Sequence, residues 1–358
     1  MTTLEFGVAE LTAAINKAPY VPGAVGRLGL FVPRRQSTTV ANIEVRGARL
    51  ALVPDMPRGA PPTPDVQDRA FVVPFRIPHF PLRDTLFADA VQDVREFGET
   101  AGLASFRAEL QRHIDSMSLK LDVTLEHLRL GAIRGMVVTA VDRDTGAVLR
   151  GIDIYTRFGV APQPPLDWPI VGAGEIGQEN PAWAGQLTGL INEVGRRMAD
   201  ELPAGMLFGI HAFCGSTFFD AVTQHPERRA AYIAQDSAPL TGPILGSRVQ
   251  FRNITFEEYR GQVGGVPFVA PDECHFVAVG VPDLFIECYA PADYTETVNT
   301  LALPRYAKSE PLPFDKGMNL EGQMNVLPLC TLPRCLFTAK ATAYQPAARG
   351  RTPERVAA

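Results

Sequence analysis

Several short stretches of this 358-residue chain carry residue types that can do chemistry. His211-Ala212-Phe213-Cys214-Gly215-Ser216 sets an imidazole three residues before a thiol. A thiol nucleophile needs a base and a donor for the developing oxyanion. On a helix, residues three apart share a face, but nothing nearby fills the third role of a triad. The competing reading makes Cys214 a small apolar residue ahead of a helix capped by Gly215 or Ser216. Gly172-Ala173-Gly174-Glu175-Ile176-Gly177 matches the dinucleotide fingerprint letter for letter. That motif works where it follows a buried strand and opens a helix. Here Pro164-Pro165-Leu166-Asp167-Trp168-Pro169 precedes it, Asn180-Pro181 follows, and Glu175 stands where phosphates would sit, so it reads as a glycine loop. Cys330 and Cys335 are close, but a structural zinc takes four ligands, and no second Cys/His pair has short spacing. Cys274-His275 would point to opposite faces of a strand. The six histidines show no His-x-x-x-His pattern, and Asp84, Asp89, Glu257 and Glu258 read as solvated faces. Asp315-Lys316-Gly317-Met318-Asn319 has too few oxygen ligands for a calcium loop. The expectation is a chain without catalytic, cofactor-binding or metal-binding residues, and not an enzyme.

The bulk properties narrow the field further. A composition of 46% hydrophobic and 20% charged residues is ordinary for a globular chain. This length can bury one or two cores. No apolar run reaches the length of a membrane span, so no membrane partner is expected. Met1-Thr2-Thr3-Leu4-Glu5-Phe6 lacks the basic-then-apolar pattern of a signal peptide. The five cysteines are therefore expected to be reduced and buried in a protein of cytosolic origin. The net charge is −5 and no long basic run occurs, whereas tight nucleic-acid binding needs clustered Lys and Arg. Only 5 of the 34 basic residues are Lys. Arg suits partly desolvated pairing at interfaces, although codon bias accounts for the count equally well.

The elements that would position any of these residues follow from periodicity. Leu11–Asn16 reads as a short helical turn or arm, broken by Pro19, Pro22 and Gly23. Residues 38–46 and 48–53 read as two short strands around Arg46-Gly47. Five prolines within 54–64 (Pro54, Pro57, Pro61, Pro62, Pro64) leave an extended loop. Phe71, Val73, Phe75 and Ile77 alternate as one face of a strand that Pro74 and Pro78 confine to an edge. Such an apolar arm needs a partner to cover it. From Ala101 to Leu130 a long amphipathic helix is predicted. Leu103, Phe106, Leu110, Ile114, Met117, Leu121, Leu125 and Leu128 form its stripe, Asp122 and Arg129 lie off it, and Gly131 ends it. Met136–Val141 and Ala147–Ile154 flank a turn at Asp142–Gly146. Pro162, Pro164, Pro165 and Pro169 mark a linker. Helices follow over 181–202 and 215–235, the second interrupted near Pro226, and then β-rich sequence over 248–290. Helices followed by strands without regular alternation argue for an α+β fold. A lone hairpin and a solitary long helix both want surfaces that other copies supply, which points to assembly.

Several segments in order carry a family resemblance. They are Leu11–Asn16, Ile77-Pro78-His79, Arg95-Glu96-Phe97-Gly98, and Leu121-Asp122-Val123-Thr124-Leu125-Glu126-His127 running on to Gly131 and Gly135. Near the C-terminus come Leu303-Pro304-Arg305-Tyr306-Ala307-Lys308 and Phe314-Asp315-Lys316-Gly317-Met318-Asn319. Over roughly residues 4–340 the chain resembles the major capsid proteins of lambda-type tailed bacteriophages, the capsid protein E family. The resemblance implies a Hong Kong 97-type α+β fold. Its parts would be an N-terminal arm over 1–35, an extended loop over 36–80, and a peripheral domain with a long spine helix over 81–160. An axial domain over 161–300, a return to the peripheral domain over 301–340 and a C-terminal tail over 341–358 complete it.

The function this resemblance implies is an icosahedral head shell enclosing double-stranded DNA. Copies would gather as hexamers and pentamers, with Phe71, Val73, Phe75 and Ile77 of the extended loop as inter-subunit contacts. Implied partners are a separate scaffolding protein, a maturation protease, a portal, a decoration protein and weakly held DNA. The chain starts at the arm, which favours scaffolding by a separate protein. Its place would be the virion, with assembly in the host cytoplasm. One departure matters: some members of the wider fold cross-link through a Lys on the extended loop, and here no Lys lies between Lys17 and Lys120, so a non-covalent shell is expected. The rival readings are an encapsulin-like compartment and a cytosolic enzyme using Cys214 and His211.

Overall fold

The structure is a computed structural model that describes residues 8–17, 23–45, 71–90, 106–141, 148–172, 185–202, 207–234, 248–263 and 266–343. The chain divides into two compact units. One comprises Met1–Pro162, Pro203–Met206 and Gly280–Leu336; the other comprises Gln163–Leu202, Leu207–Val279 and Phe337–Ala358.

The first unit opens with α1 (Val8–Lys17), which buries Leu11, Thr12 and Ile15. Asn16 Nδ2 ties its end to the carbonyl of Arg305 at 2.9 Å. Next come α2 (Ala24–Arg27), β1 (Phe31–Arg35), β2 (Val40–Val45), β3 (Phe71–Arg76) and β4 (Phe80–Phe87). The long helix α3 (Phe106–Arg134) is followed by β5 (Met136–Val141), β6 (Val148–Asp153) and α4 (Ile154–Phe158). Asp153 caps α4 by accepting the Tyr155 amide at 3.0 Å, the role expected of Asp at that position.

The second unit begins at β7 (Leu166–Val171). It continues through α5 (Gln186–Glu201), β8 (Gly209–Cys214), α6 (Ser216–Gln224) and α7 (Pro226–Ala234). Then come β9 (Arg248–Phe251), β10 (Ile254–Glu258), β11 (Gln262–Val263), β12 (Val266–Pro267) and β13 (Glu273–Val279). The chain re-enters the first unit with β14 (Phe285–Tyr289), β15 (Tyr306–Pro311), β16 (Gly317–Met324) and β17 (Val326–Cys330). It finishes in the second with β18 (Phe337–Ala343).

In the first unit the sheets are β1-β14-β17, β15-β16-β4 and the pairs β2-β3 and β5-β6. One apolar cluster gathers Leu11, Ile15, Phe75, the α3 stripe, Phe158, Leu320 and Val326. In the second unit one mixed sheet runs β7-β18-β13-β8-β10-β9. Leu187, Ile191, Val194 and Met198 of α5, with Phe218 and Val222 of α6, join Trp168, Phe256 and Phe276 in its core. The combination of mixed sheets and separate helices is the α+β class read from the sequence.

Two local expectations change, at Gly131 and in the linker around Pro162–Pro169. Gly131 does not end the long helix, because α3 runs on to Arg134 and stops at Gly135, whose φ is 79°. Gly131 is there for space: a Cβ on it would sit 2.8 Å from the Met136 carbonyl oxygen. β2 pairs with β3 in antiparallel register, with Ile43 opposite Val73; the strand expected over 48–53 lies outside the described residues. The turn at Asp142–Gly146 and the loop beyond Gly172 also lie outside them. Within the proposed linker, Leu166–Val171 is a strand that buries Leu166, Trp168 and Ile170 alternately. It lies at a sheet edge, which is where a strand tolerates Pro169. The stretch Gly280–Leu336 belongs to the first compact unit, and the chain returns to the second at Phe337. The reason is pairing: β18 completes the sheet between β7 and β13.

Candidate assembly surfaces

Of the four side chains expected at contacts between copies, the structure describes three. Val73, Phe75 and Ile77 are buried in the chain's own first unit. The ring of Phe75 lies 5.4 Å from that of Phe158. The side chain of Phe71 lies outside what the structure describes. The two-residue period was read in the correct phase, but the surface that covers it belongs to the same chain. The outward phase of the hairpin is Val40, Asn42, Glu44, Val72, Pro74 and Arg76, with Val72 54% exposed.

Helix α3 supplies a second outward surface. Its inner stripe, Leu110, Ile114, Met117, Leu121, Leu125 and Leu128, is buried as its spacing predicts. On the opposite side Leu119 and Val123, one turn apart, are 49% and 46% exposed. A third strip of α3 was missed as such. Ser118, Asp122, Glu126 and Arg129, spaced 4, 4 and 3, form a polar flank of which the sequence reading placed only Asp122 and Arg129, off the apolar stripe. The structure seats it against three other segments. Arg305 donates to Ser118 Oγ and Asp122 Oδ1, and reaches the Ile15 carbonyl at 3.5 Å. Glu126 accepts the amides of Val25 at 2.7 Å and Gly26 at 3.1 Å. Arg129 pairs with Glu287, which also accepts the Tyr289 hydroxyl at 2.8 Å. A charge buried with its partner and hydrogen bonds is tolerated, whereas one left alone is costly. The flank therefore fixes α1, α2 and β14 onto α3. The 4-4-3 spacing of polar residues beside an apolar stripe is the signal that could have revealed it.

A third surface is the tip of the β15-β16-β4 sheet. Between β15 and β16 the chain turns through Phe314 at φ 63° and Asp315 at φ 53°. Phe314 is 91% exposed there, and Phe87, opposite Gly317 in the register, is 51% exposed. A bulky residue in the left-handed region is strained.

His211, Cys214, Glu257 and Cys274 lie in the second unit. His211 and Cys214 sit on strand β8, not on a helix, so an odd spacing sends them to opposite faces. His211 Nε2 lies 3.0 Å from Glu257 Oε2, which also accepts from Arg248 Nε at 2.9 Å. Burial pushes the Glu257 carboxyl up, but the bonds from His211 and Arg248 outweigh it and hold the group below the usual carboxylate range. Cys214 Sγ instead lies 3.3 Å from Cys274 Sγ. Gly215 is the residue that caps α6. Cys330 and Cys335 are buried in the first unit. Among the described residues no group of three or more His, Cys, Asp or Glu is placed to hold a metal ion. Among them, too, no helix is long and apolar enough to cross a membrane.

Comparison with known proteins gives a consistent result. A profile of the family described as phage major capsid protein E matches residues 7–341. The major capsid protein of Salmonella phage Felix O1 is 24% identical over 94% of this chain and 97% of its own length. That of Pseudomonas phage KPP10 is 25% identical over the same shares, 94% and 97%. A crystal structure assigned to the capsid protein of a prophage in E. coli CFT073 superposes with a TM-score of 0.55. It is 12% identical and covers 95% of this chain and 100% of that one, so it speaks to the fold alone.

Proposed function

This chain belongs to the phage major capsid protein E family and serves as a major capsid protein of the virion shell, and from that premise we propose how its surfaces build the shell. Copies assemble through hexamers and pentamers into an icosahedral head around double-stranded DNA. The observation that carries this reading is the family match itself, which runs over both compact units. The role is structural rather than catalytic. In support, the imidazole of His211 engages Glu257 rather than the Cys214 thiol. The phage family match favours a genome container over an encapsulin-like compartment.

The contact between copies is made by the outward phase of the β2-β3 hairpin, with Val72 at its centre, together with the proline-rich segment between its strands. The hairpin lies across the outward strip of a neighbour's α3 at Leu119 and Val123. This replaces the inward residues Val73, Phe75 and Ile77, which support the hairpin from within. Prolines at 54, 57, 61, 62 and 64 fix φ at their own positions and so lower the entropy lost on docking. Many weak contacts per copy sum to a stable shell while letting misplaced copies leave. A net charge of −5 keeps the wall from holding the duplex tightly. A separate scaffolding protein, maturation protease, portal and decoration protein are the expected partners during assembly in the host cytoplasm.

Electron microscopy and a sizing column test the reading together. The purified protein should give closed shells or capsomers. Val72→Asp should leave the subunit folded by circular dichroism while lowering shell yield at least tenfold. A natural protein that stays monomeric or dimeric would overturn assembly through hexamers and pentamers, and full shell yield from the variant would overturn the hairpin contact.

A further inference from the structure

Two of the five cysteines face each other across the middle of the second unit's sheet. Cys274 of β13 stands directly opposite Cys214 of β8 in an antiparallel register. Antiparallel ladders alternate between pairs that exchange backbone hydrogen bonds and pairs that do not, and side chains are closer in the second kind. Backbone bonding identifies which kind this is. The Gly215 amide donates to the Glu273 carbonyl at 2.8 Å, placing the β8–β13 bond one residue along. The Cys214 carbonyl points the other way and accepts from the Tyr259 amide at 2.8 Å, just beyond β10. Cys214 and Cys274 are therefore a non-hydrogen-bonded pair, for which the Cα atoms stand about 4.5 Å apart. That separation lies within the range a disulfide accepts, roughly 4.4–6.8 Å. The two sulfurs are already in contact at 3.3 Å, and both residues are fully buried. In their ladder Cys288 stands opposite Leu327 and Cys330 opposite Phe285.

We propose that Cys214 and Cys274 are an oxidation site that closes into an intrachain disulfide when the protein meets a hydroperoxide. The reaction needs no other group. One thiolate sulfur attacks the peroxide oxygen, the O–O bond breaks, and the sulfur becomes a sulfenic acid as hydroxide leaves and takes a proton to become water. The second sulfur then attacks the first, the S–O bond breaks, and the departing hydroxide takes the second thiol's proton as another water. Two thiols and one hydrogen peroxide give one disulfide and two waters, with the sulfurs losing two electrons to the peroxide. The bridge would join the two central strands of the sheet without moving either backbone.

Burial, and then the adjacent Cys214 thiol, push the Cys274 thiol well above its usual range. The thiolate is the attacking species, so the sealed pair reacts only during local opening. Oxidation should accordingly be slow in the folded protein and faster in mild denaturant.

The test uses the intact protein exposed to hydrogen peroxide, then alkylated in denaturant and mapped by mass spectrometry. The expected result is a linked peptide pair containing Cys214 and Cys274. Alkylatable thiols should fall from the five free cysteines to three, and dithiothreitol should restore them. Cys214→Ser should abolish the link, and Cys288→Ser should leave it intact. The proposal is overturned if peroxide yields all five thiols unchanged, over-oxidised Cys214 or Cys274, or links from either to another cysteine. Because the wild-type peptide map decides the question, a variant that fails to fold does not obscure it.

Discussion

Phe314 concentrates two costs that a chain rarely accepts together, an apolar ring 91% exposed and a backbone φ of 63°. Removing the ring loses almost no packing within the subunit, and glycine adopts this conformation freely. Phe314→Gly should therefore stabilise the isolated subunit by about 1 kcal/mol, measured by denaturant unfolding. A loss of stability would show that the ring packs on its own chain. Histidines make the subunit sensitive to pH. His225 is buried, and burial lowers its affinity for a proton, with Glu227 opposing; His127 is lowered by burial and then by Arg134. A folded pKa below the unfolded value means the unfolded chain binds more protons, so stability falls as pH drops below about 6.5. Denaturation midpoints at neutral and mildly acid pH should show this decline, and His225→Gln should make it shallower.

At the scale of elements, α3 is held by two kinds of bond along two adjacent flanks. Its apolar stripe is interchangeable within limits of volume, but its polar flank is not. Asp122→Ala leaves Arg305 buried without its carboxylate and should cost about 3–5 kcal/mol. Replacing the pair with apolar side chains of similar volume, Asp122→Leu with Arg305→Met, should recover much of that loss. Thermal melts of the two variants distinguish an unpaired charge from lost volume; equal destabilisation would refute the pairing argument. The same reasoning explains Gly131, where the helix passes too close to the Met136 carbonyl for any Cβ.

For the whole molecule, the distribution of Lys sets the chemistry of the shell. No ammonium group is available between Lys17 and Lys120, so neighbouring copies have no amine on the hairpin arm with which to form an isopeptide bond. Particles boiled in reducing detergent should run as one band at the mass of a single chain, 38.9 kDa. A ladder of heavier species would contradict this.

Periodicity and motif order determined a good part of this protein. The α3 stripe, the β5-β6 pair, the break at Pro226 and the inward phase of β3 are local patterns, because a helix or strand repeats its buried face at a fixed spacing whatever covers it. The resemblance of Leu303–Lys308 and Phe314–Asn319 to a capsid family rests likewise on the letters alone. Tertiary structure decided what does the covering. It turned Val73, Phe75 and Ile77 onto the chain's own core, carried Phe337–Ala343 into the second unit's sheet, and sealed Ser118, Asp122, Glu126 and Arg129 against distant partners. It also set Cys214 beside Cys274, 60 residues away. Spacing along a chain fixes which face a side chain shares, whereas its neighbours across space come from strand register and packing between segments remote in sequence.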